Sequence, residues 1–200
     1  MSSVSNPGLL HFKSTRLVYR APENTDTDKA FLQKLLNDPT IQTMSTSRLK
    51  YPLSQKDAEE FIKVLQDALL GVLICLPPSS PSANPAPIGH MSIFHTQPPG
   101  REHHRCAMLG ISLAEEARGK GYGGEAINWA LDWAFQCAGL HRVSLCAFSF
   151  NLDALKLYEK LGFVEEGRAR EAVYHCRGWY DVVMFGMLEH EWEVLRGFKM

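Results

Sequence analysis

The sequence predicts an α+β fold built around a mixed central sheet. Some short segments have alternating or continuous apolar residues, as strands do, and others have apolar residues at helical spacing. Their order is a strand, two helices, a run of strands, then helix, strand, helix and two final strands, which is not the strict alternation of an α/β protein. At 200 residues, 45% hydrophobic and 22% charged, the chain suits one well-cored domain over residues 1–200.

The first predicted strand and helix lie near the N-terminus. Residues 16–22 alternate in side-chain type and end at Pro22, which is typical of a strand. The next segment has an apolar stripe at helical spacing, and Asp26 or Thr27 is suited to cap its start. Pro39 is expected to end this helix.

A second helix and a proline-rich loop are predicted next. Ser54 and Asp57 have the spacing of a capping box, and Gly71 is suited to stop the helix that they begin. The apolar, β-branched residues 71–76 predict a short strand. Residues 77–87 are rich in proline and serine, which favours a surface loop.

The rest of the chain predicts strands and helices around a glycine-rich segment. A helix with a continuous apolar face follows the glycines, and another is expected over residues 151–163. The remaining predicted strands are 88–95, 105–113, 141–150, 167–176 and 179–188.

Charge and cysteine content narrow the class of protein. A net charge of −1 provides no global positive field, so non-specific binding to nucleic acid or an anionic membrane is not expected. Five cysteines without a C-x-x-C pair favour free thiols in a reducing compartment, and we expect the cytoplasm. No apolar run has the length of a membrane span, and no metal-ligand spacing occurs.

Gly119, Gly121 and Gly124 have the spacing G-x-G-x-x-G directly before a helical pattern. A Walker A loop is excluded because its Gly-Lys-Ser/Thr ending is missing. A dinucleotide fingerprint is disfavoured because five residues separate the preceding strand from the glycines and the next strand ends without a carboxylate. A pyrophosphate loop fits better, since Arg118 and Lys120 add positive charge at a helix N-terminus. The alternative without a ligand is a flexible turn between the strand and the helix.

The segment RGKGYG, residues 118–123, resembles the R/Q-x-x-G-x-G/A pyrophosphate loop of the GNAT superfamily of acetyl-CoA-dependent N-acetyltransferases. Four other segments resemble the RimJ/RimL-like branch of this superfamily: STRLVYR, DAEEFI, NLDALKLYEKLGFVEEG and DVVMFGMLEHEW. The resemblance implies a three-layer α/β/α fold, whose mixed, mostly antiparallel sheet is splayed at the cofactor site. It also implies a monomer or homodimer that acts on an amine acceptor.

The resemblance further implies which residues hold acetyl-CoA, the expected cosubstrate. Backbone groups of Ile111, Ser112 and Leu113 would bind the pantetheine arm and the acetyl carbonyl. The residues expected at the pyrophosphate are Arg118, Gly119, Lys120, Gly121, Tyr122, Gly123 and Gly124.

Asn151, Ala154 and Tyr158 have the spacing i, i+3, i+7, so they share one helix face. Asn151 is also suited to cap that helix. By resemblance, Tyr158 is the general acid that protonates the sulfur of CoA, and Asn151 contacts the cofactor. A core tyrosine with a satisfied hydroxyl group is the alternative.

The general base is not identified by the sequence. Many members of the family carry a glutamate at the position of Met108, so a direct carboxylate base is missing here. His90, His95, Ser149 or a water chain could replace it, and a neutral histidine suits proton acceptance near pH 7.

The acceptor is expected near residues 44–51 and 174–180, which combine aromatic and basic side chains. It could be a protein N-terminal amine or a small-molecule amine. The missing carboxylate also allows a non-catalytic CoA-binding or protein-interaction module. A nucleotide-dependent oxidoreductase is a weaker alternative.

Overall fold

The computed structural model describes residues 11–78, 80, 82–96, 98 and 100–198. Helices lie on both faces of a sheet in this part of the chain. The strands are β1 (Val18–Arg20), β2 (Leu70–Leu76), β3 (Ala86–His95), β4 (Cys106–Leu113), β5 (Arg142–Phe148), β6 (Val164–His175) and β7 (Gly178–Leu188). The α-helices are α1 (Asp26–Leu36), α2 (Pro39–Met44), α3 (Gln55–Gln66), α4 (Tyr122–Gln136), α5 (Leu152–Lys160) and α6 (Glu189–Leu195).

The seven strands form one sheet in the order β1-β2-β3-β4-β5-β7-β6. Neighbouring strands are antiparallel except β4 and β5, which run parallel. The prediction of a mixed, mostly antiparallel sheet is therefore confirmed.

The helices cover the two faces of the sheet with two separate cores. Alternate residues of the strands pack with α4 and α6 in the larger core, and α5 packs at its edge. Leu73 and Cys75 of β2 face the other way and pack with α1, α2 and α3 in the smaller core. These cores confirm the three-layer α/β/α arrangement.

Two short helices were not predicted. Pro39, which was expected to end α1, is the first residue of α2. Asp38 caps α2 by accepting hydrogen bonds from Thr40 N and Ile41 N. Proline suits this position because its missing N–H would be unpaired there anyway. The C-terminal helix α6 directly follows β7 and buries Trp192 against the larger core.

Three local predictions were wrong in detail. Thr25, rather than Asp26 or Thr27, caps α1 by accepting from Asp28 N. The helix α3 ends at Gln66, and Gly71 lies within β2, where a Cβ atom would overlap the carbonyl of Leu65. The loop predicted over 77–87 is shorter, because Ala86 and Pro87 already pair with β2; Pro87 belongs to β3 even though proline disfavours central strands.

The sheet opens between β4 and β5. The two strands pair only over Cys106–Arg142, Ala107–Val143 and Met108–Ser144. Beyond Met108, β4 stays paired with β3 as far as Leu113, and β5 stays paired with β7 as far as Phe148. We call the gap between residues 109–113 and 145–148 the seam; it is the splay that was predicted.

Candidate active site

The glycine segment joins the end of β4 to the start of α4 and presents a row of backbone donors. Gly119 and Gly121 have φ angles of 71° and 79°, which L side chains adopt only with strain. In the described part of the chain, no backbone carbonyl accepts from the N–H groups of residues 119–124. Because the last three of these groups open α4, the positive end of its dipole adds to them. The segment can therefore hold an anion.

The two cations of this segment lie in different surroundings. Arg118 Nε donates to the carbonyl of Leu113 at 2.9 Å, and Arg118 Nη2 lies 2.7 Å from Asp38 Oδ2. Its backbone N–H donates to Glu115 O. In this structure Arg118 thus ties the glycine segment to β4 and α2. Lys120 is exposed and leaves its positive charge at the surface of the segment.

Arg16 is a third cation at the glycine segment, and it was not predicted. Its Nη1 donates to the carbonyl of Lys120 at 3.0 Å, and its guanidinium lies 4.6 Å from the ring centroid of Tyr122. Its Nε lies 2.7 Å from Glu125 Oε2. The only sequence signal was its place in STRLVYR, which was interpreted as a strand.

The hydrogen bonds around Glu125 hold Arg16 in this position. Burial opposes ionisation, but bonds from Ser14 Oγ and from the backbone and side chain of Arg16 outweigh it, so the pKa of Glu125 is lowered. A charged Glu125 therefore fixes Arg16 against the loop carbonyl at neutral pH.

The last two glycines of the segment lie beside α5. A Cβ atom on Gly123 would lie 3.6 Å from Leu113 and 3.7 Å from Leu157, and one on Gly124 would lie 3.4 Å from Leu157. The distances are those of ordinary contacts. A small side chain would therefore fit at either position, and α5, which carries the predicted acid, lies beside the backbone donors of the segment.

The candidate backbone sites of β4 lie along the seam. Ile111 and Leu113 pack towards the larger core, whereas Ser112 points to the opposite face and donates to Ser45 Oγ at 3.3 Å. The carbonyl of Leu113 already accepts from Arg118. The edge of β4 that faces the seam is unpaired with β5 along these residues, so an extended ligand could bind there as a strand would.

Of the two candidate residues at α5, Asn151 lies at the start of the helix and Tyr158 packs against the larger core. Asn151 caps the helix, as predicted, and its Oδ1 accepts from Ala154 N at 3.3 Å. Tyr158 is half-buried; its ring is tilted against Phe163 at a centroid distance of 6.1 Å and meets Phe185 edge-on at 5.7 Å.

The environment of Tyr158 keeps its hydroxyl protonated. Burial raises its pKa to about 12, and the neighbouring thiol of Cys146 on β5 adds to the rise. No side-chain hydrogen bond contributes to that shift within the described residues. The phenol is thus a protonated donor beside one wall of the seam.

A cavity of about 540 Å³ lies on the sheet face opposite α4. Its floor includes His90 of β3 and Ser112 of β4, which are paired in register. The helices α2 and α3 and the segment 45–53 form its walls. Six of the predicted acceptor residues 44–51 therefore line the cavity, while residues 174–180 form the separate hairpin of β6 and β7.

The walls of the cavity combine apolar and charged side chains. Arg48 and Lys50 come from the segment 45–53, and Asp57 and Glu60 come from α3. The apolar lining is Leu36, Ile41, Leu49, Leu53, Phe61 and Val64. One contact joins the two predicted acceptor segments, because Lys50 Nζ lies 2.9 Å from His175 Nδ1.

The structure distinguishes the candidate bases by position. Met108 is exposed and is the last residue of β4 that pairs with β5. His95 is exposed at the far end of β3, and Ser149 accepts from the backbone N–H of Asp181 at 3.1 Å. His90 is buried and lines the cavity.

The described residues provide neither a metal site nor a membrane-spanning helix. They contain no group of three histidine, cysteine or carboxylate residues arranged to hold a metal ion. None of their helices is long and apolar enough to cross a membrane.

The chain matches a known family and several of its members. The acetyltransferase (GNAT) domain family matches residues 16–164. A putative ribosomal N-acetyltransferase, YdaF of Bacillus subtilis, is 36% identical over 90 residues, which are 45% of this chain and 49% of that protein. A spermidine N(1)-acetyltransferase of Vibrio cholerae is 37% identical over 89 residues, which are 44% of this chain and 51% of that protein. The match thus spans about half the length of these curated relatives.

Among solved structures, similarity extends over most of the chain. The spermidine N-acetyltransferase of Vibrio cholerae in complex with CoA and spermine has a TM-score of 0.74 and 28% identity, with 90% of this chain and 99% of that chain covered. A GNAT-family acetyltransferase of Bacillus anthracis has a TM-score of 0.72 at 19% identity, with 90% and 98% covered. The fold is that of GNAT acetyltransferases.

Proposed function

We propose, since this chain belongs to the GNAT acetyltransferase family, that it is an enzyme that transfers an acetyl group from acetyl-CoA to a primary amine. The observation that carries the proposal is the seam between β4 and β5, which opens beside a loop of unpaired backbone donors. The seam offers strand-like partners to the pantetheine arm, and the loop offers N–H groups to the pyrophosphate.

The residues at the loop and the seam fit acetyl-CoA. The backbone N–H groups of residues 119–124 would bind the pyrophosphate, with Lys120 adding charge from the surface. Ile111, Ser112 and Leu113 would bind pantetheine and the acetyl carbonyl through their main chain. The guanidinium of Arg118 donates to the carbonyl of Leu113 and to the carboxylate of Asp38, so Arg118 would stabilise the conformation of the loop. Asn151 would contact the cofactor from the start of α5.

The proposed reaction is a direct transfer without an acyl-enzyme. The amine nitrogen attacks the carbonyl carbon, the new N–C bond forms as the C–S bond breaks, and Tyr158 gives its proton to the departing sulfur. Tyr158 is suited to this step because burial keeps it protonated.

The cavity over His90 and Ser112 is the proposed acceptor site. It lies on one face of the sheet, while α4 and the glycine loop lie on the other, so the two substrates would meet at the seam. The acceptor is a protein N-terminal amine or a small-molecule amine; the relatives include a putative ribosomal N-acetyltransferase and a spermidine N(1)-acetyltransferase. A RimJ/RimL-like branch would favour the protein amine.

The wider setting is proposed on the same basis. We expect one domain over residues 1–200 that acts in the cytoplasm as a monomer or homodimer, with no nucleic acid or membrane as partner. The alternative is a non-catalytic CoA-binding or protein-interaction module of the same fold. It is favoured by one observation: Met108 stands where a carboxylate base is common.

Calorimetric titration with acetyl-CoA tests the cofactor assignment. The variant Gly121→Asp adds a carboxylate to the loop, and we expect it to weaken binding at least tenfold because like charges repel. Gly139→Asp is the matched control, since Gly139 also has a positive φ, of 61°, but lies at the other end of α4. Equal binding by both variants would contradict the loop assignment.

Release of CoA thiol with a panel of primary amines separates the two functions. Turnover with any of them supports the transferase. Acetyl-CoA binding without turnover across the panel would favour the module.

A further inference from the structure

His90 occupies a position that packing alone does not explain. It is 7% exposed, and its Nδ1 is wholly buried without a hydrogen-bond partner among the described residues. Buried polar atoms are nearly always paired, and an unpaired one costs on the order of 1–3 kcal/mol. Such a cost is tolerated where the residue has a chemical role, and His90 also lines the floor of the cavity.

The surroundings of His90 place it on the path of the acceptor. The ring of Phe61 contacts it edge-on, with centroids 4.9 Å apart, and fixes its orientation. Ser112 is its partner in register on β4, and cross-strand partners have Cβ atoms about 4.5–5.5 Å apart. Ser112 belongs to the stretch of β4 that borders the seam. His90 is thus one strand away from the proposed site of the acetyl carbonyl.

We propose that His90 accepts the proton that the amine loses during acetyl transfer. The inference rests on the proposed function and adds the base that the sequence does not show. Nδ1 is sealed within the protein, so Nε2 is the ring nitrogen that would take the proton. Protonated His90 then returns the proton to solvent.

The proton balance of the reaction is complete with two residues. One N–H proton of the attacking amine passes to His90 as the N–C bond forms. The C–S bond breaks, and the sulfur takes the proton of Tyr158. The products are the amide and CoA thiol, and both side chains return to their starting states by exchange with water.

Electrostatics support this role. Burial lowers the pKa of His90 to about 4, so the imidazole is neutral at pH 7 and offers a lone pair. A neutral ring also favours the neutral, reactive form of the amine at the floor. The nitrogen becomes strongly acidic once it bonds to carbon, so even a weak base can then take its proton.

Charged groups of the cavity face His90 from two elements. Asp57 and Glu60 lie on α3, and Arg48 and Lys50 lie on the segment 45–53. The two signs balance, so the lining adds no net charge that would keep His90 protonated. Ser112 Oγ and Ser45 Oγ, 3.3 Å apart, lead from the floor towards an exposed residue and offer a route for the proton.

The variant His90→Ala tests the proposal. We expect kcat with spermidine, a serine-initiated peptide or 2-phenylethylamine to fall by about 10²-fold or more, with acetyl-CoA affinity unchanged by calorimetry. Added imidazole should restore part of the rate, whereas pyrrole, a ring of the same size without a basic nitrogen, should not. A packing role would not distinguish the two rings.

Controls make each outcome decisive. His104→Ala removes an exposed histidine and should keep the wild-type rate, and His90→Gln keeps a polar side chain should the alanine variant not fold. Wild-type rates in both His90 variants, or equal effects of imidazole and pyrrole, would overturn the role of His90. If the wild-type protein binds acetyl-CoA but acetylates none of the amines, the proposed function is contradicted. The role of His90 as a base is then contradicted as well, because there is no transfer for it to assist.

Discussion

Arg118 Nη2 lies 2.7 Å from Asp38 Oδ2, so the glycine loop is tied directly to the N-cap of α2. The loop is the proposed cofactor site, and α2 forms a wall of the proposed acceptor cavity. One ion pair therefore connects the two sites across the end of β4. The connection implies that a change at Asp38 affects both.

We expect Asp38→Ala to lower stability and weaken both substrates. The helix loses its cap, which costs about 1–2 kcal/mol, and Arg118 loses its partner. A cost of 1 kcal/mol lowers the melting temperature of a chain of this size by about 2–4 °C. The measurements are calorimetric melting, the Kd of acetyl-CoA and the KM of the amine.

Asp38→Asn is the matched control for this prediction. Asparagine is as good a cap as aspartate, so stability should stay close to wild type while the ion pair to Arg118 is weakened. A change in acetyl-CoA affinity in this variant would then come from the ion pair. Unchanged affinity in both variants would contradict the coupling of the loop to α2.

Tyr158→Phe should lower kcat by about 10²-fold or more and leave the Kd of acetyl-CoA unchanged, because only the proton donor is lost. Since its pKa is raised to about 12, Tyr158 stays protonated up to about pH 11. The alkaline side of the wild-type profile should therefore show no loss of rate between pH 8 and 10. A wild-type kcat in Tyr158→Phe would contradict the assignment of Tyr158 as the acid.

The glycine loop was accessible to prediction because its signal is local, whereas the seam was expected only from the resemblance to the GNAT superfamily. A positive φ at Gly121 and exposed donors next to it require glycine in the sequence itself. The N-terminus of α2 also had a local signal, an aspartate cap followed by proline, but Pro39 was interpreted only as the end of the preceding helix.

Long-range contacts could not be predicted in this way. The partner of Arg118 is 80 residues away at Asp38, and neither residue identifies the other by spacing. The burial of His90 likewise depends on Phe61 of a different element. The contact of Arg16 with the loop was not predicted, because Arg16 and Lys120 are 104 residues apart in the sequence.

Glu125→Gln should destabilise the protein by about 1 kcal/mol at pH 7 and weaken acetyl-CoA binding, because Arg16 loses a charged partner. The folded protein lowers the pKa of Glu125, so its contribution is present above pH 4.5 and is lost as pH falls through the folded value. Urea unfolding should show the gap to wild type closing below pH 4.5.

The control for this gap is Glu116→Gln. Glu116 pairs with Lys34 at 3.7 Å on an exposed surface, where an ion pair contributes about 0–1 kcal/mol. A loss from Glu116→Gln equal to that from Glu125→Gln would show that the contacts to Arg16 and Ser14 add nothing.

His90 should also make stability depend on pH, whether or not it acts as a base. Burial lowers the pKa of His90 to about 4 in the folded protein, whereas in the unfolded chain it is about 6.5. Between these two values only the unfolded chain binds a proton at His90. Stability then falls from pH 6.5 towards pH 4 by up to about 1.4 kcal/mol per unit. His90→Leu removes this titration, so its urea-unfolding profile should be flatter over that range. A slope equal to that of wild type would show that folding does not shift the pKa of His90, which would contradict a buried imidazole that stays neutral in the folded protein.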